Sequence, residues 1–196
     1  RQLDFLKELA KTQTPIVLVL QNGRPLSLTW EQEHVPAILE CWYPGEKGGR
    51  AVAEVLFGKT APSGRLPMSF PKSVGQVPCN YNRMPGGGRR YVETDWNPLY
   101  PFGYGLTYTS FSYSDLEIDA KDLRASDVEV GAEATVSFTV TNIGDTFGEE
   151  TAQVYLRDEY ASVVKPRKEL AGFQKVALQP GESYRAVSYT HLRAHE

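Results

Sequence analysis

An α/β body followed by an all-β sandwich is the architecture this sequence predicts, and three observations predict it. Roughly the first 70 residues alternate helix-period and strand-like patterns, with a continuously apolar run at residues 15–20. From about residue 71 to 110 the chain is rich in Pro, Gly and aromatics and has little periodicity. Beyond Phe111 the pattern has period two and no helical signal.

The elements follow in order. Leu3, Leu6 and Leu9 recur at helical spacing and Phe5 widens their apolar face. Residues 15–20 are apolar throughout and rich in β-branched side chains, as in a parallel strand buried on both faces. Asn22-Gly23, with Pro25 behind it, makes a turn. Thr29 and Gln32 have the spacing of a capping box and predict a short helix. Residues 35–43 read as a second buried strand, closed by Pro44-Gly45. Ala51, Val52, Val55 and Leu56 mark one face of a helix that Gly58 ends. Pro62-Ser63-Gly64 turns the chain into a short strand at 65–70. Helix, strand, strand, helix, strand is part of an open α/β sheet, with too few strands for a complete doubly wound domain. Such a piece is expected to expose an apolar sheet edge and to aggregate when expressed alone.

Residues 1–78 thus form the α/β part, and 79–110 a long connection, which at that length is expected to be functional or linking. Residues 111–188 form the sandwich. Ala132, Ala134, Val136, Phe138 and Val140 alternate with polar residues, so one face is buried and the other wet. Asn142 to Asp145 is a turn. Ala152, Val154 and Leu156 are expected on a core face, then Phe173, Val176 and Leu178, and Pro180-Gly181 leads to a strand from Ser183. Residues 189–196 lose the alternation, resemble translated vector sequence, and are set aside as a non-native tail.

Composition narrows the function classes. The chain has 196 residues, 41% hydrophobic and 23% charged, as in a folded globular protein. A net charge of -3 gives no basic patch for nucleic acid. No apolar run approaches the roughly 20 residues that span a bilayer. Arg1-Gln2-Leu3 opens as if inside a helix, which suggests an N-terminally incomplete chain. Cys41 and Cys79 make no disulfide framework, and Cys41 reads as a small buried hydrophobe.

Six stretches, in this order and spacing, resemble the family 3 glycoside hydrolases, above all the bacterial periplasmic β-glucosidases. They are Val17-Leu18-Val19-Leu20-Gln21-Asn22-Gly23-Arg24-Pro25-Leu26, Ala37-Ile38-Leu39-Glu40-Cys41-Trp42-Tyr43-Pro44-Gly45 and Val55-Leu56-Phe57-Gly58. Pro62-Ser63-Gly64-Arg65-Leu66-Pro67, Val74-Gly75-Gln76-Val77-Pro78 and residues 98–108, from Pro98 to Tyr108, complete the set. Residues 167–176 resemble that family's C-terminal fibronectin type III-like module. The resemblance implies the incomplete C-terminal part of an α/β sandwich domain, then the fibronectin type III-like β-sandwich. It implies a retaining exo-acting β-glycosidase, with a barrel-borne Asp as nucleophile and a Glu from the α/β domain as acid and base. Retention needs those carboxyls only ~5 Å apart. Neither motif is visible, so both are expected upstream of residue 1 and this stretch alone is expected to be inactive.

The resemblance further implies a β-linked oligosaccharide or aryl glucoside as partner of the complete enzyme, no cofactor and no metal. It implies a periplasmic or secreted location and leaves a homodimer open. Glucosidase is preferred on Gln-Asn-Gly-Arg-Pro and Gly-Gln-Val-Pro; a β-xylosidase parent and a non-catalytic carbohydrate-binding or scaffold module are the alternatives.

Substrate contact is expected from the loop between Cys79 and Trp96, where Asn80, Tyr81, Asn82, Arg83, Arg89 and Arg90 mix an aromatic platform with hydrogen-bond donors. The competing reading is that this loop only packs the domains. Glu40 and Glu46 lack a placed partner carboxylate and read as structural or solvated. Gly86-Gly87-Gly88 neither follows a strand nor opens a helix, which excludes a phosphate loop. His191 and His195 lack the Glu of a zinc helix, and without Gly-x-Ser-x-Gly a serine hydrolase has no support. The aromatic run Tyr100, Phe102, Tyr104, Tyr108, Phe111, Tyr113 reads as packing, as do Trp30 and Trp42.

Overall fold

The structure is a computed structural model that describes residues 1–85, 95–119, 133–157 and 163–191. The chain forms two compact bodies that interleave along the sequence. The first comprises residues 1–57, 66–81 and 88–104; the second comprises 58–65, 82–87 and 105–196.

In the first body, α1 (Gln2–Ala10) carries the leucines at helical spacing, but only Leu6 is buried. Phe5 is 65% exposed, so the apolar face is not wholly covered. Strands β1 (Val17–Leu20) and β2 (Ala37–Glu40) pair in parallel, Val17 opposite Ala37 and Leu20 opposite Glu40. They are shorter than their apolar runs and half-buried rather than buried on both faces, because among the described residues this sheet has two strands and Val17 stays half exposed. Beyond Glu40 the second run bends, and Trp42 takes a left-handed φ of 50°.

Helix α2 (Thr29–His34) lies where the capping box places it, yet the box itself does not form. Its N-cap is Leu28, and Thr29 Oγ1 donates to the Lys72 carbonyl at 2.7 Å instead. In α3 (Gly48–Leu56), Val52 and Val55 are half-buried while Ala51 and Leu56 are exposed. Gly58 follows α3 with φ +71°, a conformation open to glycine at little cost.

No strand forms at residues 65–70. The segment instead meets residues 99–104 irregularly, through Leu66 N to Tyr104 O and Gly103 N to Leu66 O, both 2.8 Å, and one antiparallel bridge between Phe70 and Tyr100. Phe70, 2% exposed, centres this packing: Tyr100 meets it edge-on at 6.3 Å and Trp42 tilts against it at 5.8 Å.

The second body is the sandwich. One sheet has the order β3 (Phe111–Asp119), β4 (Glu133–Asn142), β7 (Ser183–His191); the other pairs β5 (Gly148–Leu156) with β6 (Glu169–Leu178), all antiparallel. Val136, Phe138, Val140 and Ala186 face Ala152, Val176 and Leu178 across one core, as the period-two pattern of β4 predicts. Ala132 lies outside the described residues.

Three details differ from the sequence reading. Phe173 has the opposite strand parity to Val176 and Leu178, so it points outward and is 69% exposed. A register shift between Val154 and Tyr155 ends the alternation of β5, leaving Leu156 only half-buried. And β7 continues to His191, which pairs with Glu133, so part of the segment set aside as tail belongs to the sheet.

Candidate functional site

The loop expected to touch substrate is distributed over both bodies. Tyr81, in the first, is half-buried with its ring stacked on Phe102 at 4.2 Å and 16°. One face of the supposed platform is therefore already occupied. Asn82 and Arg83 belong to the second body: Asn82 is exposed, and the Arg83 carbonyl accepts a hydrogen bond from Arg167 N at 3.1 Å. Arg89, Arg90 and the three glycines before them lie outside the described residues.

At the end of this loop Lys72 Nζ reaches Asp95 Oδ1 at 2.8 Å. The ammonium donates to the Asp95 carboxylate and holds it below the usual range. Buried Gln76 completes the anchor, accepting from Lys72 N at 2.6 Å and donating to the Asp95 carbonyl at 2.8 Å.

Glu40, Glu149 and Glu150 are each held by structural partners. Glu40 Oε2 accepts from Asn22 Nδ2 at 3.1 Å and Oε1 from Trp42 N at 2.9 Å, so it serves the turn after β2. Glu46 is exposed in the turn before α3. Glu149 Oε2 accepts from Ser63 Oγ at 3.0 Å and pairs with Lys175 at 2.8 Å. Glu150 points the other way along β5, into the core, and is 5% exposed. Its Oε2 meets Arg65 Nη2 at 2.5 Å and its Oε1 accepts from Tyr113 Oη at 2.8 Å. The Tyr113 ring is about half exposed, but desolvation of its hydroxyl end and then the bond to Glu150 push the phenol well above the usual tyrosine range.

Cys41 and Cys79 are not joined in a disulfide. Burial, reinforced by the Glu40 charge, pushes the Cys41 thiol up, which is the wrong direction for a nucleophile. Among the described residues no group of three His, Cys, Asp or Glu is placed to hold a metal, and no helix is long and apolar enough to cross a membrane.

Sequence reasoning missed the Arg65–Glu150–Tyr113 cluster and Asn142, a fully buried amide. Asn142 Nδ2 donates to the Thr146 and Leu178 carbonyls at 2.8 and 3.0 Å, while Oδ1 accepts from Thr109 Oγ1 at 2.6 Å. A hydrophilic residue closing a strand carries no mark of such burial. Only the Asn-Ile-Gly-Asp turn marks the position in sequence, since Thr109 lies 33 residues upstream.

Comparison with known proteins decides the family. The sequence model of the glycosyl hydrolase family 3 C-terminal domain matches residues 1–108, and that of the fibronectin type III-like domain matches 150–190. The chain belongs to glycoside hydrolase family 3. As a family 3 chain it is 44% identical to a β-xylosidase of Formosa agariphila over 96% of its own length and 26% of the relative's. It is likewise 44% identical to the periplasmic β-glucosidase of Salmonella typhimurium, over 92% of its own length and 24% of that protein's. Among solved structures, a β-glucosidase of Erythrobacter marinus superposes with a TM-score of 0.88 at 42% identity, over 96% of this chain and 24% of that one. A Listeria innocua β-glucosidase variant solved with laminaribiose gives 0.84 at 38%, over 96% and 27%. The chain therefore spans about a quarter of the length of the relatives it matches. Both parts of the expected fold, α/β body and fibronectin type III-like sandwich, are those of this family.

Proposed function

We infer that this family 3 chain is the C-terminal portion of a retaining exo-acting β-glycosidase whose catalytic Asp and Glu lie in other parts of a longer polypeptide. The observation that carries the reading is similarity over nearly the whole chain to enzymes named β-glucosidase or β-xylosidase, of which it spans about a quarter. Glu40, Glu149 and Glu150 each have a structural partner, consistent with a catalytic pair held elsewhere. In the complete enzyme Tyr81, Asn82, Arg83, Arg89 and Arg90 would contribute substrate contacts at the pocket rim. The Salmonella relative's name supports a periplasmic or secreted location.

Terminal β-linked glucose is the first substrate. β-Xylosides are a second reading, favoured by the equal identity of the Formosa enzyme. Hydrolysis of aryl β-glucosides and β-xylosides by the 196-residue chain, beside an upstream-extended form, tests both. Turnover by the long form alone supports the reading, and the faster aryl sugar names the substrate. Turnover by the short chain with a defined pH optimum refutes it.

A further inference from the structure

Of the chain's asparagines only Asn22 precedes a glycine. The pair forms the turn after β1, and glycine is what lets the Tyr43 ring lie against it: a Cβ at residue 23 would fall 2.1 Å from Tyr43 Oη. Gly23 is exposed, and its N–H donates to no partner among the described residues. The Asn22 side chain beside it is fixed at both ends of its amide. Its Oδ1 accepts from Arg24 N at 3.1 Å, the local bond that asparagine makes to the backbone two residues on. Its Nδ2 donates to Glu40 Oε2 at 3.1 Å. Asn80 and Asn82 are exposed as well, but they precede Tyr81 and Arg83, while Asn142 is fully buried.

This arrangement suits a reaction of the chain with itself. No side chain on Gly23 hinders the approach of its nitrogen to the preceding amide. Open to water, Gly23 N gives its proton to hydroxide and attacks Asn22 Cγ. The Arg24 N–H is a fixed donor on the oxygen where negative charge then develops. The N–Cγ bond forms, the Cγ–Nδ2 bond breaks, and the leaving nitrogen takes a proton from water to depart as ammonia, which regenerates the hydroxide. A succinimide ring remains, and water opens it at either carbonyl to give aspartate or isoaspartate. The product is not neutral for the fold. A carboxylate then stands where Glu40 had a donor, and like charges so placed repel. Glu40 also accepts from Trp42 N at 2.9 Å, and Trp42 holds a left-handed φ of 50° that a bulky residue adopts only at a cost. Displacing Glu40 therefore reaches Trp42 and, through it, the Phe70 ring at 5.8 Å.

We propose that Asn22–Gly23 is a self-modification site, which converts to aspartate or isoaspartate in the folded chain and loosens the Trp42 turn as it does. The site rests on these residues alone and is independent of the glycosidase reading. The test is incubation of the 196-residue chain at neutral and mildly alkaline pH, both folded and in urea, with peptide mapping by mass spectrometry and an ammonia assay. Asn22 should convert ahead of Asn80 and Asn82, with an equal amount of ammonia released. Its conversion should quicken with pH and run at least as fast in the folded chain as in urea. Slower conversion when folded shows that the turn protects the amide, and it overturns the proposal, as does an absence of preference for Asn22. The coupling to Trp42 is read separately. Asn22→Asp should raise amide exchange at Trp42 about tenfold, and adding Glu40→Gln, whose amide can donate to the new carboxylate, should restore it. Unchanged exchange in Asn22→Asp refutes the coupling. Should a variant not fold, exchange at Trp42 in the aged parent chain, compared with the fresh one, decides.

Discussion

Replacing Arg65 by alanine should loosen the whole sandwich, because it leaves Glu150 as a buried carboxylate without its cation. Glu150 lies between Gly148 and Ala152 on the inward face of β5, and its side chain is 6% exposed against 19% for Arg65. Tyr113 Oη would still donate to it at 2.8 Å, but one neutral donor does not replace a guanidinium. Breaking a buried pair from one side costs about 3–5 kcal/mol. Water reaches the Arg65 side of this pair, so the lower end applies, about 3 kcal/mol. At about 4 °C per kcal/mol for a body of this size, Tm falls by about 12 °C. Amide exchange at Phe138 and Val140 in β4 should accelerate about 100-fold where it proceeds through opening of the sandwich. Replacing the whole cluster, by Arg65→Met, Glu150→Leu and Tyr113→Phe together, should restore most of that protection. Exchange in Arg65→Ala within about twofold of the parent would show that water screens the pair, and the burial argument would fail.

Asn142→Asp should be worse than its size suggests. The two donors to the Thr146 and Leu178 carbonyls vanish and a carboxylate faces those oxygens, so a loss of at least about 3 kcal/mol in urea unfolding is expected. Acid should weaken the sandwich partly through Glu149, whose carboxyl is held low by Lys175 first and Ser63 second. A depressed folded value means that this contribution is complete above the unfolded carboxylate range, near pH 4, and disappears as pH falls through the folded value. Unfolding followed from pH 6 to 2 should therefore show a shallower acid loss in Glu149→Gln.

What was legible in the sequence was whatever depends on neighbours along the chain. The period-two pattern of β4 placed Val136, Phe138 and Val140 in the core because strand parity is a local property. Gly58 ends α3 for an equally local reason, its positive φ. What failed depended on distant partners. Thr29 abandons its capping role for the Lys72 carbonyl, 43 residues away. Residues 65–70 look like a strand, but residues 99–104 offer only an irregular edge to pair with. Phe173 was misread through its apolar character, although counting two residues back from Val176 places Gln174, not Phe173, in the core. Of the candidate site, the loop residues were nameable from their chemistry. The Tyr81–Phe102 stack that covers one ring face was not.

The same distinction governs where the sandwich ends as a physical unit. Its β-strands begin at Phe111, yet its contacts reach back to residues 58–65, which precede the Pro- and Gly-rich connection. Ser63 accepts Thr151 Oγ1 on its carbonyl at 3.2 Å and donates to Glu149, while Arg65 donates to both Glu150 and the Gly105 carbonyl. A piece cut from residue 105 onward would keep every strand of the sandwich and lose the cation that Glu150 faces. It would carry by truncation the defect that Arg65→Ala introduces by substitution, together with the loss of the Ser63 bonds. Sequence order therefore separates what charge balance joins, and the smallest self-consistent sandwich includes the turn that follows α3.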